Sequence, residues 1–208
     1  MSMGPVIRLV TDSDAAQIQA LYAPYVLHTA ISFELEPPTV EDMQQRIVKT
    51  LPRWPWLVCE HEGEILGYVY ASRHRDRAAY QWSVDVSVYV AERFQRLGVG
   101  RALYRALFTM LTLQGFYNAF AGITLPNPAS VGLHEALGFQ PVGVYRAVGY
   151  KLGAWHDVGW WRLVLREHSQ PCAPPVDLNA VRSSPEWESV MATGCSLVRL
   201  DSSRTSQR

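Results

Sequence analysis

Residues Trp82 to Leu113 constrain this chain more than any other stretch. Ser83-Val84-Asp85-Val86-Ser87-Val88-Tyr89-Val90 alternates like a strand, and Val99, Ala102, Leu103, Ala106, Leu107 and Met110 form a helical stripe. Between them Gln95-Arg96-Leu97-Gly98-Val99-Gly100 makes a short basic turn with two glycines one residue apart. A helix that starts on such a turn has N–H groups without partners, the positive end of its dipole, and backbone that an anion can approach closely. The stretch therefore reads as strand, diphosphate seat and helix. The same glycine spacing also punctuates ordinary turns. It is not the Gly-x-Gly-x-x-Gly of a dinucleotide site, and it lacks the Gly-Lys-Ser or Gly-Lys-Thr of a nucleotide P-loop.

A chain of 208 residues, 48% hydrophobic, can bury one substantial core. Its 19 basic and 19 acidic side chains cancel, which gives no electrostatic case for nucleic acid or an anionic membrane. Cys59, Cys172 and Cys195 are far apart, without metal-ligand spacing, and favour a reducing, cytoplasmic setting. Met1 to Arg8 lacks the pattern of a leader, and no apolar run approaches the roughly 20 residues needed to span a bilayer.

Val6 to Val10 is a short candidate strand. Thr11 and Asp14 can cap a first helix through Ile18, Leu21, Tyr22, Tyr25 and Val26, with a kink or early end expected near Ala23 because Pro24 removes a donor. Ala30 to Pro38 reads as a loop. Thr39 can cap a second helix to about Thr50. Trp56–Glu60 and Ile65–Ala71 flank a hairpin turn, and Ala119–Leu125 is a further strand. Asn127 and Pro128 can open a helix that runs to Leu137 and ends at Gly138. Val142–Tyr145 and Val158–Leu165 are the last two strands. The expected organisation is one α/β domain, residues 1–166, with a mixed sheet and helices on both faces; the helix after the central strand makes that strand parallel to the next. Residues 167–208, rich in proline and serine, read as a flexible tail, with a short helix possible over Glu186 to Met191.

The strand, Gln-x-x-Gly-x-Gly turn and helix, the Asn127 segment and His134-Glu135-Ala136-Leu137-Gly138-Phe139 resemble the GCN5-related N-acetyltransferase (GNAT) superfamily over residues 6 to 165. Tyr80-Gln81-Trp82, Ser87-Val88-Tyr89-Val90, Leu125-Pro126-Asn127 and Gly153-Ala154-Trp155-His156-Asp157 are similar to the phosphinothricin-type enzymes and their methionine sulfone and sulfoximine acetylating relatives. The resemblance implies a GNAT fold: a central sheet of about seven strands, splayed into a V between two parallel strands, with about four helices. It implies acetyl-CoA as donor and no metal. Backbone of Val88, Tyr89 and Val90 would hold the pantetheine and thioester, and amides of Gln95, Arg96, Leu97, Gly98, Val99, Gly100 and Arg101 the diphosphate. Asn127 would hold the pantetheine arm or a water.

Acyl transfer to an amine requires that a base remove a proton, since an α-amino group has a pKa of about 8. Asp85 lies on one face of its strand with Ser87 and Tyr89. The resemblance implies a base at this position, where the family carries glutamate; the shorter aspartate would act directly or through a water. Otherwise it pairs with an arginine of the 73–77 loop. His134 stands where the family places the group that protonates the departing thiolate, or receives a proton from the amine; a satisfied core histidine is the alternative. Arg75 and Arg77 would meet a substrate carboxylate, with Phe33, Tyr80 and Tyr89 as an apolar wall, unless they form a solvated basic loop. The resulting expectation is a homodimer that acetylates the α-amino group of a small amino-acid-like acceptor by direct attack in a ternary complex. Its rivals are another small amine or a protein N-terminus as acceptor, and a non-catalytic CoA-binding sensor.

Overall fold

In the computed structural model, which describes residues 4–187 and 195–200, the alternating segment lies at the middle of a seven-stranded sheet. The chain runs β1 (Val6–Leu9), α1 (Ala15–His28), α2 (Val40–Thr50), β2 (Trp56–His61), β3 (Glu64–Arg73), β4 (Ser83–Val90), α3 (Val99–Gln114), β5 (Asn118–Leu125), α4 (Pro128–Ala136), β6 (Gln140–Lys151), β7 (Ala154–Val164) and α5 (Leu178–Arg182). The sheet order is β1-β2-β3-β4-β5-β7-β6. Every pairing is antiparallel except β4 with β5, the pair joined by the α3 crossover. This is the α/β architecture expected from the order of elements, with five helices among the described residues.

The two faces of the sheet carry separate apolar clusters because neighbouring residues of a strand point to opposite sides. Val84 and Val86 join Leu103, Leu107, Met110 and Phe139 under α3 and α4. Tyr68 joins Ile18, Tyr22, Val26, Met43 and Ile47 under α1 and α2, with Tyr89 packed against them.

Several boundaries differ from expectation. A 3-10 turn, Asp12–Asp14, precedes α1; Asp14 Oδ2 accepts the Thr11 N–H at 2.7 Å, so the capping pair forms one turn early. The helix then passes through Pro24 to His28. Burial of Tyr22 and Val26 on either side of Pro24 favours its continuation, and the Thr29 hydroxyl closes its end on the Tyr25 carbonyl at 2.6 Å. β6 is far longer than Val142–Tyr145, and β7 starts at Ala154 rather than Val158; the two meet at a tight turn where Gly153 has φ +78°. Most of the added length of β6 is exposed on this chain, so no alternation marks it.

The described part of the segment expected to be a flexible tail is packed on α3. Leu178 and Val181 are buried. The Val176 N–H donates to the Gln114 carbonyl at 2.8 Å, and Gln114 Nε2 donates to the Val176 carbonyl at 3.0 Å. The helix expected over Glu186 to Met191 lies outside the described residues from 188 onward. No helix among the described residues is long and apolar enough to cross a membrane.

Candidate active site

β4 and β5 pair only at Ser83↔Asn118, Val84↔Ala119 and Asp85↔Phe120. Beyond Asp85 they part, β4 staying with β3 up to Gly67↔Val90 and β5 with β7 up to Leu125↔Asp157. Each diverging strand thus has an edge with free backbone groups, which a ligand can satisfy. Residue pairs along an antiparallel ladder alternate between hydrogen-bonded and non-bonded, and Ala91 N–H bonds Leu66 O just beyond β4. The alternation directs the N–H and C=O of Tyr89 to Tyr68 on β3. Those of Val88 and Val90 face the gap together with the Val86 carbonyl, the Val86 N–H being taken by Phe120 in the last β4–β5 pair. Tyr89, expected as a backbone contact of the donor, turns its N–H and C=O to β3, and the carbonyl of Val86, which the sequence had not singled out, faces the gap. The Val90 carbonyl already accepts the Tyr25 hydroxyl at 2.6 Å, which leaves its N–H.

A cleft of about 60 Å³ runs through the V. Ile31, Ser87 and Tyr89 line it from the α1 side of the sheet, and Tyr104, Ser130 and His134 from the α3 and α4 side, with Asn127 at its margin. His134 is 3% exposed. Its Nδ1 lies 2.7 Å from the Ser130 carbonyl, an acceptor only, so Nδ1 carries the proton. Nε2 is then the acceptor for the Tyr104 hydroxyl at 2.9 Å. Burial lowers the His134 pKa and raises that of Tyr104, which keeps both groups neutral. Tyr104 escaped the sequence reading because it belongs to the broad buried face of α3, where a tyrosine reads as core and its hydroxyl gives no separate signal. Asn127 Oδ1 caps α4 through Ser130 N–H at 3.1 Å, leaving Nδ2 as its donor.

The glycine turn leads into α3 at Gly98, which has φ +88°; Arg96 also has positive φ, +63°. The first α3 bond is Ala102 N–H to Gly98 O at 2.9 Å, so the amides of Val99, Gly100 and Arg101 have no intrahelical acceptor. These residues and the unpaired edge of β4 suit a diphosphate and the extended arm attached to it. Gln95 Nε2 donates to Tyr25 Oη at 3.1 Å, tying the turn to α1. Arg199 N–H donates to the Leu97 carbonyl at 2.9 Å, and the Leu197 carbonyl lies where a Gly98 side chain would stand.

Asp85 is the last paired residue before the strands part, on the sheet face opposite His134. It does not pair with an arginine: its Oδ1 lies 2.6 Å from His74 Nδ1. Burial pushes its pKa up, against the hydrogen bond from His74 and the charges of His74 and Arg75. Arg75 bonds the His74 carbonyl at 2.8 Å and lies over the Trp160 ring at 5.6 Å. Arg75, Arg77 and Tyr80 line a second cavity of about 250 Å³ together with Arg53, Trp54 and Arg73, outside the V. Phe33 is 38% exposed and packs on Gly149 of β6, so it does not meet Tyr80. The expected acceptor residues thus fall in three places: Tyr89 in the cleft, Arg75, Arg77 and Tyr80 in this arginine-lined cavity, and Phe33 against β6. Among the described residues no group of His, Cys, Asp and Glu is arranged to hold a metal ion.

Comparison with known proteins matches residues 7–160 to the model of the acetyltransferase (GNAT) domain. A phosphinothricin N-acetyltransferase of Streptomyces viridochromogenes is 43% identical over 81% of this chain and 90% of its own length. An L-methionine sulfoximine/L-methionine sulfone acetyltransferase of Salmonella typhimurium is 33% identical over 80% of this chain and 98% of its own. Among solved structures, a GNAT phosphinothricin acetyltransferase of Sinorhizobium meliloti in complex with acetyl-CoA superposes with a TM-score of 0.77 at 30% identity, over 85% of this chain and 99% of that one.

Proposed function

The chain belongs to the GNAT acetyltransferase family, and on that premise we propose that it transfers the acetyl group of acetyl-CoA to the α-amino group of a small amino acid of the phosphinothricin, methionine sulfone or methionine sulfoximine type. The observation that carries this is the cleft through the V, lined on one sheet face by the neutral Tyr104–His134 pair and on the other by Ser87 and Tyr89, the face that also carries Asp85 at the apex. The donor enters along the free edge of β4, its diphosphate at the α3 amides. When bound it supplies the thioester carbonyl.

The amine approaches from the Asp85 face, and the Asp85 carboxylate takes the proton that the nitrogen must lose, directly or through a water. The amine attacks as the free base: that proton leaves for Asp85 as the nitrogen lone pair forms the bond to the carbonyl carbon, and the carbon–sulfur bond breaks. On the opposite face the Tyr104 hydroxyl can rotate from His134 Nε2 to donate a hydrogen bond to the departing thiolate while keeping its proton, with His134 as the base that accepts the hydroxyl at rest. Arg75 and Arg77 suit an acceptor carboxylate. We assign the protein to the cytoplasm, as a homodimer, on the cysteine usage and the family resemblance.

The test is thiol release from acetyl-CoA against a panel of phosphinothricin, methionine sulfone, methionine sulfoximine, ordinary amino acids and a short peptide. The first three should be turned over and the peptide left untouched. Turnover of the peptide in preference to the amino acids would replace this acceptor assignment, and binding of acetyl-CoA with no turnover of any amine would make the chain a sensor.

A further inference from the structure

The contact between His74 and Asp85 has no counterpart in the roles assigned above. His74 follows β3, and its ring is fixed on several sides. It stacks on Phe120 at 4.3 Å and 13°, and meets the edges of Tyr80 and Trp160 at 5.9 and 6.3 Å. Phe120 is the β5 residue in register with Asp85, so the stacking ring and the carboxylate belong to the same rung at the apex of the V. The side chains of His74 and Asp85 are 11% and 27% exposed. The imidazole is thus a built part of the apex.

The charged groups around the pair come from each neighbouring element. On the 73–80 loop, Arg75 holds the His74 carbonyl, Asp76 is paired with Arg73, and Tyr80 presents its ring edge. From β7, Arg162 donates to Asn118 at 3.0 Å, and Trp160 stands beneath Arg75. His74 is the residue that hydrogen-bonds the carboxylate. A carboxylate buried at this point tends to hold its proton, and a donor bonded to its ionised form opposes that tendency.

We propose that His74 is a positioning residue for proton removal: its Nδ1–H fixes Oδ1 of Asp85 and leaves Oδ2 as the atom that takes the proton from the attacking amine. The proton passes from nitrogen to Oδ2 while the nitrogen lone pair forms the bond to carbon, and His74 keeps its own proton throughout. The assignment rests on the N-acetyltransferase reading and on Asp85 as proton acceptor.

Three variants separate the possibilities. His74→Phe retains a ring on Phe120 but cannot donate, His74→Asn donates an amide N–H but cannot titrate, and Asp85→Asn removes the acceptor. The profile of kcat/KM against pH is measured with methionine sulfone, or with whichever amine of the panel wild type acetylates, alongside acetyl-CoA affinity and thermal unfolding. His74→Phe should lower kcat about tenfold or more and move the acid limb to higher pH, with acetyl-CoA affinity unchanged. His74→Asn should restore most of the rate and the position of that limb. A wild-type profile in His74→Phe overturns the proposal. So does a His74→Asn variant as inactive as His74→Phe, because His74 would then itself accept the proton.

An unimpaired Asp85→Asn would remove Asp85 as base, and no turnover by wild type with any amine would instead count against the acetyltransferase reading. Independently of turnover, the Asp85 carboxyl carbon is titrated by NMR in wild type and His74→Phe. A midpoint that rises in the variant supports the contact, and an unchanged midpoint overturns it.

Discussion

The Tyr104 hydroxyl donates to Nε2 of His134 across 2.9 Å, with both side chains buried between α3 and α4 on the wall of the cleft. Tyr104→Phe keeps the ring, including its stack on Phe108 at 5.1 Å, and removes only the donor. If that hydroxyl serves the leaving thiolate, kcat should fall about a hundredfold while acetyl-CoA affinity hardly changes, the pattern of a donor that acts on developing charge. Steady-state and binding measurements on the same preparation check this. An unchanged kcat would reduce Tyr104 to packing.

Gly98 is under two constraints at once. Its φ of +88° disfavours any side chain, and the Leu197 carbonyl fills the place a Cβ would take. Gly98→Ala should cost about 1–2 kcal/mol from the backbone alone. Because the displaced turn carries the α3 amides, acetyl-CoA should bind about tenfold more weakly, the equivalent of about 1.4 kcal/mol. Calorimetric titration and thermal unfolding measure the two effects separately. Lost stability with intact affinity would mean that the donor does not depend on this turn.

The strand, turn and helix of the V were legible because they are consecutive: β4, the glycine turn and α3 follow one another, and each has a local period or punctuation. The region around Asp85 was not. Its partner His74 is 11 positions away across the β3–β4 connection, and the ring beneath it, Phe120, comes from β5. The arginine partner weighed as the alternative to a base was an inference from loop composition, whereas the fold selects the imidazole that stacks on Phe120. The C-terminal segment misled for a related reason. Leu178 and Val181 are buried in a helix of only 5 residues, too short to show a period, and the α3 surface that they cover is set by tertiary packing.

Arg8 forks onto Asp14 at 2.7 and 2.8 Å, and also bonds Glu60 at 2.7 Å. Burial pushes the Asp14 carboxyl up, but the bonds from Arg8 and Thr11 outweigh it and hold the group below 3.8. A depressed carboxyl stabilises the fold above its unfolded pKa of about 3.9, and that stability is lost as pH falls through the lower folded value. Arg8→Ala should cost about 3 kcal/mol at pH 7, since it leaves a buried carboxylate without its cation. The decline of stability on acidification should also shrink or change sign, because burial alone then governs Asp14. Urea unfolding of both proteins between neutral and acid pH tests this. A parallel decline in both would show that Arg8 does not set the ionisation of Asp14.

Lys151 links the segment from Val26 to Ser32 to the sheet from inside the protein. Its Nζ donates to the carbonyls of Val26 and Ser32, each at 2.6 Å, and so ties the segment that carries Ile31 into the cleft to the end of β6. Lys151→Met keeps most of the side-chain length but leaves two carbonyls unpaired, at about 1–3 kcal/mol each if no water replaces the ammonium. The segment should then loosen at its cleft end, where Tyr22 still holds the Ser32 hydroxyl at 2.6 Å, rather than unfold outright. The acceptor KM should rise several-fold with acetyl-CoA affinity unchanged, since the turn and the α3 amides lie on other elements. Amide hydrogen exchange over residues 26–34, with acceptor and donor kinetics on the same variant, tests the link. Faster exchange without a change in acceptor KM would place the amine away from Ile31.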